Sequence, residues 1–227
     1  MTAQPAGGIS GRLAAVRERI EAACRRAGRD ATSVTLVAVS KGWPAEAVTR
    51  AWEAGIRDFG ENRVQEGTAK ASALAAAGIR PVWHLIGNLQ TNKVRPAVQT
   101  FDILHAVDSE RLLRAIAAAA DSPVRMMIEV NVSGEPTKHG IAPAGLPGLL
   151  HAARSLPLAR VEGLMTVAPL SPDPEDSRPV FRRLGDLGRE HGLPLLSMGM
   201  TGDFDVAIEE GATHVRIGRA LFGERPA

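Results

Sequence analysis

VTLVAVSKGWP, residues 34–44, is the stretch on which the fold turns. Its first part, 34–40, is an unbroken β-branched and apolar run, short enough for a strand and apolar on both faces. A strand without polar alternation needs cover on both sides, which is the condition of a parallel sheet wrapped by helices. Helical patterns flank it. Residues 9–27 repeat apolar groups at helical spacing, with Ser10 as N-cap and Gly28 as the stop, and a second helix is expected over 44–54, closed by Gly55.

Outward from there, the same strand–helix unit recurs along the chain. Strands are expected near 57–60, 81–86, 101–106, 124–131, 161–165, 194–197 and 213–217. Helical segments are expected near 62–77, 90–98, 109–120, 143–154, 176–191 and 203–210, helped by the high helix propensity of alanine in 69–77 and 115–120. The pattern predicts an α/β fold, a single (β/α)8 TIM-type barrel with an extra N-terminal helix. One domain over 9–227 is expected behind a flexible 1–8. The alternative, an open doubly wound sheet, would ordinarily carry G-x-G-x-x-G after its first strand, where this chain has SKGWP. APLSPDPEDSRP, 168–179, is the longest irregular stretch; it follows a strand and so belongs on the functional face of a barrel.

The 227 residues carry 27 Lys and Arg against 25 Asp and Glu, a formal net charge of +2. No basic block of the kind that binds nucleic acid occurs. The one cysteine, Cys24, excludes an internal disulfide and points to the cytoplasm; within an amphipathic stretch it reads as a small helical residue, with a nucleophile as the alternative. MTAQPAGG lacks the basic and apolar regions of a signal peptide, and no run of about 18 apolar residues is present to span a membrane. His105, His139, His151, His191 and His214 show no metal-ligand spacing.

Chemistry in a barrel concentrates where strands end. Lys41 directly follows the first strand and is one of four lysines, with Lys70, Lys93 and Lys138, in a basic complement otherwise made of arginine. An amine among apolar neighbours loses hydration in its charged form, so its pKa falls and it becomes a nucleophile toward aldehydes. The alternative is a snorkelling lysine at a strand end. Near the C-terminus, LLSMGMTGDFDVAIEEGATHVRIGRALFG (195–223) places Gly-containing turns after two strands. In barrels the turns after strands seven and eight often bind phosphate through backbone N–H groups. Thr201 offers a hydroxyl and an N–H, and Gly218 lets the backbone approach an anion; ordinary turns with a capping threonine are the alternative. Arg216, inside the last strand, would be a buried permanent cation needing an acceptor, either a ligand's pyridine nitrogen or a carboxylate such as Glu61 or Glu129.

LVAVSK (36–41), FGENRVQE (59–66), WHLIGNLQTNK (83–93), EVNVSGEPTKHG (129–140), GLMTVAP (163–169) and SMGMTGDFDVAIEEGATHVRIGRALFG (197–223) together resemble the pyridoxal phosphate homeostasis proteins. These are single-barrel relatives of the alanine racemase N-terminal domain, and the matching segments cover almost the whole chain beyond the first helix. The resemblance implies that pyridoxal 5′-phosphate is the cofactor, held as a Schiff base on Lys41. It implies that Thr201, Gly218 and Arg219 present backbone N–H groups to the phosphate, with Ser197 and Met200 beside them. It also implies that Arg216 faces the pyridine nitrogen and that Asn62 stands in the pocket wall. Arg63 stands where the family usually has tyrosine, Thr201 replaces a serine, and Arg219 replaces a threonine. Gly42-Trp43 replaces a more polar pair, which puts Trp43 where it would shield Lys41.

The resemblance further implies a carrier in vitamin B6 homeostasis that stores the cofactor or passes it to apo-enzymes. A monomer with no nucleic-acid or membrane partner is expected. Substantial catalysis is not. A racemase of the alanine racemase kind opposes its lysine with a tyrosine from a second domain; this chain has no tyrosine, and its eighth strand and turn run up to Ala227, so no second domain is expected. A guanidinium at the pyridine nitrogen keeps its own proton and leaves the ring a weak electron sink. His84 reads as a structural histidine hydrogen-bonded inside the barrel, with a second base as the alternative. The competing functions are a low-activity amino-acid racemase or lyase and a binder of another phosphorylated ligand, with Lys41 acting only as a charge. Lys138-His139-Gly140 and Asn92-Lys93 fall in loops on the same face, solvated loops or else contacts for a second ligand or partner, Asn92-Lys93 being the candidate for delivery contacts.

Overall fold

Eight short strands, each with both faces to cover, close into a ring. In the computed structural model, which describes residues 8–224, the strands are β1 (Thr35–Val39), β2 (Asp58–Glu61), β3 (Val82–Leu85), β4 (Ile103–Val107), β5 (Val124–Glu129), β6 (Ala159–Met165), β7 (Leu195–Ser197) and β8 (His214–Ile217). They pair in parallel in sequence order, and β8 closes onto β1 with His214 opposite Thr35 and Arg216 opposite Val37. The closed ring excludes the open-sheet alternative.

The helices are α1 (Ile9–Arg26), α2 (Ala45–Glu53), α3 (Val64–Ala76), α4 (Val94–Thr100), α5 (Glu110–Ala119), α6 (Leu146–Arg154), α7 (Arg178–Glu190), α8 (Phe204–Glu209) and α9 (Arg219–Phe222). The extra helix α1 packs on α8 and α9, where Arg12 Nε donates to Leu221 O at 2.6 Å. Among the described residues no helix is long and apolar enough to cross a membrane.

Several boundaries differ from expectation for local reasons. Gly8, not Ser10, is the N-cap of α1, which places Ser10 inside the first turn. Gly28 and Gly55 stop α1 and α2 as expected, at φ +64° and +98°. The patterns at 90–98 and 143–154 begin as 3-10 turns, Thr91–Lys93 and Pro143–Gly145, before α4 and α6 take over. The final turn winds into the short helix α9. The stretch expected to be flexible, 1–8, lies outside the described residues except for Gly8, as do 225–227.

Alternation along each strand divides the side chains between two cores. Val215, Ile217 and Phe59 belong to the large core between barrel and helices, which also takes in Cys24. The opposite faces of β8 and β2 send His214, Arg216 and Asp58 into the lumen. There Ile103, Ala106, Met127 and Met165 form a separate apolar cluster, with Leu195 and Val167 against it. Full burial of such side chains is worth about 1.5–3 kcal/mol each. The lumen is therefore apolar where this cluster sits and polar where His214, Arg216 and Asp58 point.

Candidate cofactor site

Lys41 is half-buried, just beyond β1. Ser40 N–H donates to Gly60 O at 3.1 Å and Trp43 N–H donates to Ser40 O at 3.0 Å, which turns the chain directly after the strand. A buried clamp from α3 and β2 holds that turn. Lys70 Nζ donates to Ser40 O (2.7 Å), Glu61 Oε1 (2.6 Å) and Glu66 Oε1 (2.8 Å). Ser40 Oγ donates to Glu61 Oε1 at 2.6 Å, and Gly42 N–H to Glu66 Oε1 at 2.5 Å. Burial pushes the Glu61 carboxyl above its ordinary range, only partly offset by Lys70 and Ser40. Burial acts the same way on Glu66, but Lys70 and the Gly42 N–H hold it below that range. None of Ser40, Glu61, Glu66 and Lys70 was singled out as part of this clamp from sequence; the spacing of Glu66 and Lys70, one helical turn apart, was the available signal.

Arg216 projects from β8 into the lumen and is 5% exposed. Its Nη1 donates to Ser197 Oγ at 2.7 Å and its Nη2 to Thr166 O at 2.8 Å. Burial lowers its pKa to about 10, which leaves it a cation at neutral pH. The carboxylates suggested as partners do not pair with it. Glu61 shares the outward face of β2 with Phe59 and is taken by Lys70, and Glu129 forms no ion pair among the described residues. Burial raises the Glu129 pKa, with Arg216 acting against it. Ser197 ends β7 just before the following turn, and its hydroxyl is bonded to Arg216 and His105.

The turn after β7 is tightly wound. Gly199 sits at φ +89° and its carbonyl accepts Arg216 N–H at 3.0 Å. A Cβ there would lie 2.6 Å from Ala207 Cβ and 2.9 Å from Phe204 Cα, so only glycine fits. Met200 N–H donates to Asp203 Oδ1 at 2.6 Å, and Phe204 N–H to Met200 O at 2.9 Å, with half-buried Thr201 between them. After β8, Gly218 precedes α9, whose first residue Arg219 has no carbonyl within the helix to receive its N–H. Trp43 lays its ring on Phe222, centroids 5.9 Å apart, and so ties the Lys41 turn to α9. Asn62, at the end of β2, holds its Oδ1 buried without a hydrogen-bond partner. Because β7, β8, β1 and β2 are consecutive in the ring, Met200, Thr201, Arg216, Gly218, Arg219, Lys41 and Asn62 occupy one arc of the rim.

Other expected groups fall elsewhere. His84 is fully buried with both ring nitrogens engaged, Nδ1 with His105 and Nε2 with Asp58, which makes it the structural histidine and not a free base. Lys138 Nζ donates to Val167 O at 3.1 Å and pairs with Glu135, while His139 meets Asn88 at 3.1 Å. Lys93 and Asn92 lie in the 3-10 turn before α4. Among the described residues no group of three or more His, Cys, Asp or Glu is placed to hold a metal ion.

The barrel and its rim define a protein of the alanine racemase N-terminal domain class, and the family model described as "Alanine racemase, N-terminal domain" matches residues 12–226. The chain is 46% identical over 223 residues to the pyridoxal phosphate homeostasis protein of Aquifex aeolicus, covering 94% of this chain and 97% of that one. It is 40% identical over 228 residues to the pyridoxal phosphate homeostasis protein of Escherichia coli, with coverage of 96% and 97%. The chain belongs to the pyridoxal phosphate homeostasis protein family. PipY of Synechococcus elongatus, solved with PLP bound, matches at a TM-score of 0.81 and 36% identity, covering 95% of this chain and 100% of that one. Alanine racemase of Clostridium difficile, 14% identical at a TM-score of 0.73, shares the fold over 57% of its own length.

Proposed function

We propose that this chain binds pyridoxal 5′-phosphate with Lys41 as covalent anchor, and stores it or delivers it to apo-enzymes in cytoplasmic vitamin B6 homeostasis. It would do so as a monomer, through one domain over 9–227, without substantial catalysis. The observation that carries the reading is Arg216: a buried cation with no carboxylate in ion-pair contact among the described residues, on the strand beside the one that leads to Lys41. Such a cation calls for an acceptor above it, and an aromatic ring nitrogen is one. The unpartnered Asn62 Oδ1 in the same arc marks a second unmet polar contact.

Lys41 would hold the aldehyde carbon, Thr201, Gly218 and Arg219 would turn N–H groups to the phosphate next to Met200, and Asn62 would stand in the wall. When bound, the cofactor supplies a ring that withdraws electrons from the lysine-linked carbon. The protein side restrains that chemistry. Arg216 remains a charged donor at neutral pH and does not pass its proton to the ring. The chain has no tyrosine, and both nitrogens of His84 are engaged inside the barrel, so neither serves as an opposed base. The naming of the Aquifex aeolicus and Escherichia coli relatives and the PLP-bound PipY structure support the reading.

The test is borohydride reduction with excess pyridoxal phosphate, followed by peptide mapping and an absorption spectrum. A pyridoxyl group on Lys41, absent in a folded Lys41→Ala, is expected, together with no turnover across an amino-acid panel. An unmodified Lys41 in the wild type would sink the reading, and turnover lost in Lys41→Ala would replace it with a weak racemase or lyase.

A further inference from the structure

Beneath Arg216 a line of polar side chains crosses the lumen, and the proposed function makes no use of most of it. Asp58 on β2, His84 on β3, His105 on β4 and Ser197 on β7 follow one another at hydrogen-bond distance. His84 Nε2 lies 3.0 Å from Asp58 Oδ1, His84 Nδ1 lies 2.9 Å from His105 Nε2, and His105 Nδ1 lies 2.8 Å from Ser197 Oγ. Arg216 Nη1 completes the line at 2.7 Å from the same Ser197 Oγ. Both histidines and Ser197 are 0% exposed. The far end opens to water: Asp58 lines a cleft of about 440 Å³ with Arg57 and Arg17, on the opposite mouth of the barrel from Lys41. His214 packs beside both histidines, ring centroids 6.0 and 5.9 Å away, and engages its own Nδ1 with Thr213 Oγ1 at 2.9 Å.

Closure of the ring does not require this line. Elsewhere the lumen is filled by Ile103, Met127 and Met165, which need no hydrogen-bond partners. Burying imidazoles costs desolvation unless each nitrogen is satisfied. Here every nitrogen of His84 and His105 is satisfied, and only along this one path.

The two ends fix the direction of each link. Arg216 only donates, and an ionised Asp58 only accepts. Asp58 therefore takes the proton on His84 Nε2. A neutral His84 then presents a bare Nδ1, which accepts from His105 Nε2–H. A neutral His105 presents a bare Nδ1 to the Ser197 hydroxyl proton, which leaves the Ser197 oxygen to accept from Arg216. Burial, with the nearby His84, His214 and Arg216, holds His105 well below the ordinary histidine range, and burial takes His214 to about 4.

We propose that Asp58, His84, His105 and Ser197 form a directed hydrogen-bond relay across the barrel that positions Arg216 toward the cofactor's ring nitrogen, with both histidines held as the Nε2–H tautomer. Ser197 Oγ and Thr166 O together take donors from both Nη atoms, which fixes the plane of the guanidinium. The four are positioning residues, since they act on the ligand only through Arg216. The inference rests on the proposed role of Arg216 in cofactor binding. A doubly protonated His84 would reverse the two inner links, putting a proton on His105 Nδ1, and that arrangement is the rival to be excluded.

Long-range ¹H–¹⁵N correlation spectra of the ligand-free wild type read the tautomers directly, with His105→Asn supplying the assignment. Protonated Nε2 and bare Nδ1 are expected at both His84 and His105; a proton on His105 Nδ1 overturns the relay. The second measurement uses pyridoxal phosphate itself. His105→Leu, which removes the acceptor for Ser197, is expected to weaken cofactor retention about tenfold and to move the absorption band of the bound cofactor. His105→Asn, whose carboxamide oxygen can replace Nδ1, is expected to stay within about threefold of wild type. Ser197→Ala provides the same cut at the next link if His105→Leu does not fold. Variants that lose thermal stability but keep wild-type retention and spectrum overturn the proposal while leaving the Lys41 reading intact. Absence of any Lys41 adduct in the wild type instead removes the cofactor reading on which it stands.

Discussion

Replacing Lys70 by methionine removes the ammonium from the clamp beneath the Lys41 turn while keeping an unbranched chain that suits a helix. In the native protein that ammonium serves Ser40 O, Glu61 Oε1 and Glu66 Oε1 at 2.7, 2.6 and 2.8 Å, with 7% of the Lys70 side chain and 0% of the Glu61 side chain exposed. Without it Glu61 keeps only the Ser40 hydroxyl. Removing one partner of a buried pair costs about 3–5 kcal/mol. Burial has already raised the Glu61 pKa, so the carboxyl escapes part of this by taking a proton, and the lower end of the range, about 3 kcal/mol, applies. At about 2–4 °C per kcal/mol for a chain of this size, Tm falls by roughly 6–12 °C. The pH dependence follows from the sign. In the variant the folded-state pKa of Glu61 stands further above its unfolded value, the folded state binds the extra proton, and stability falls as pH rises through the raised value. Calorimetry from about pH 5 to about pH 8 should therefore show a deficit that widens with pH. Lys70→Met with Glu61→Gln should recover most of it. A deficit that does not change with pH, or no recovery in the double variant, refutes the buried-charge reasoning.

Two further outcomes follow from the rim and the helix layer. Gly199→Ala combines a left-handed φ with Cβ contacts of 2.6 and 2.9 Å, and is expected to cost about 2–5 kcal/mol in urea unfolding and to weaken phosphate-dependent cofactor retention. Unchanged stability would show that the turn relaxes freely. Arg178 bonds Glu175, Glu209 and Glu210 and so ties the start of α7 to the end of α8. Glu210 is held below the ordinary carboxylate range by Arg182 and Arg178, and Glu209 by Arg178 and Arg26 against the opposing effect of burial. Depressed carboxylates stabilise above the unfolded pKa and lose that stability as pH falls through the folded value. Arg178→Ala should thus cost about 1–2 kcal/mol near neutrality and little near pH 3, and an equal cost at both would contradict the ion-pair account.

The sequence by itself determined whatever depends on a single segment. Period and composition showed the apolar run at 34–40, the repeated strand–helix unit, the stops at Gly28 and Gly55 and the lysine beyond the first strand, because these are local restrictions on backbone and burial. Its place inside the last strand was enough to make Arg216 a candidate buried cation. Motif resemblance added the rim positions, since it compares residues in order and needs no coordinates. Tertiary structure decided which groups meet. Arg216 stood open between a ligand and two carboxylates until strand parity turned Glu61 outward to Lys70 and gave Arg216 the Ser197 hydroxyl and the Thr166 carbonyl. Trp43 found Phe222, far along the chain. His105 and Ser197 are 92 residues apart in sequence, and only the order and register of the closed ring bring them within 2.8 Å. Such contacts are set by the packing of all eight strands at once, and no local pattern along the chain encodes them.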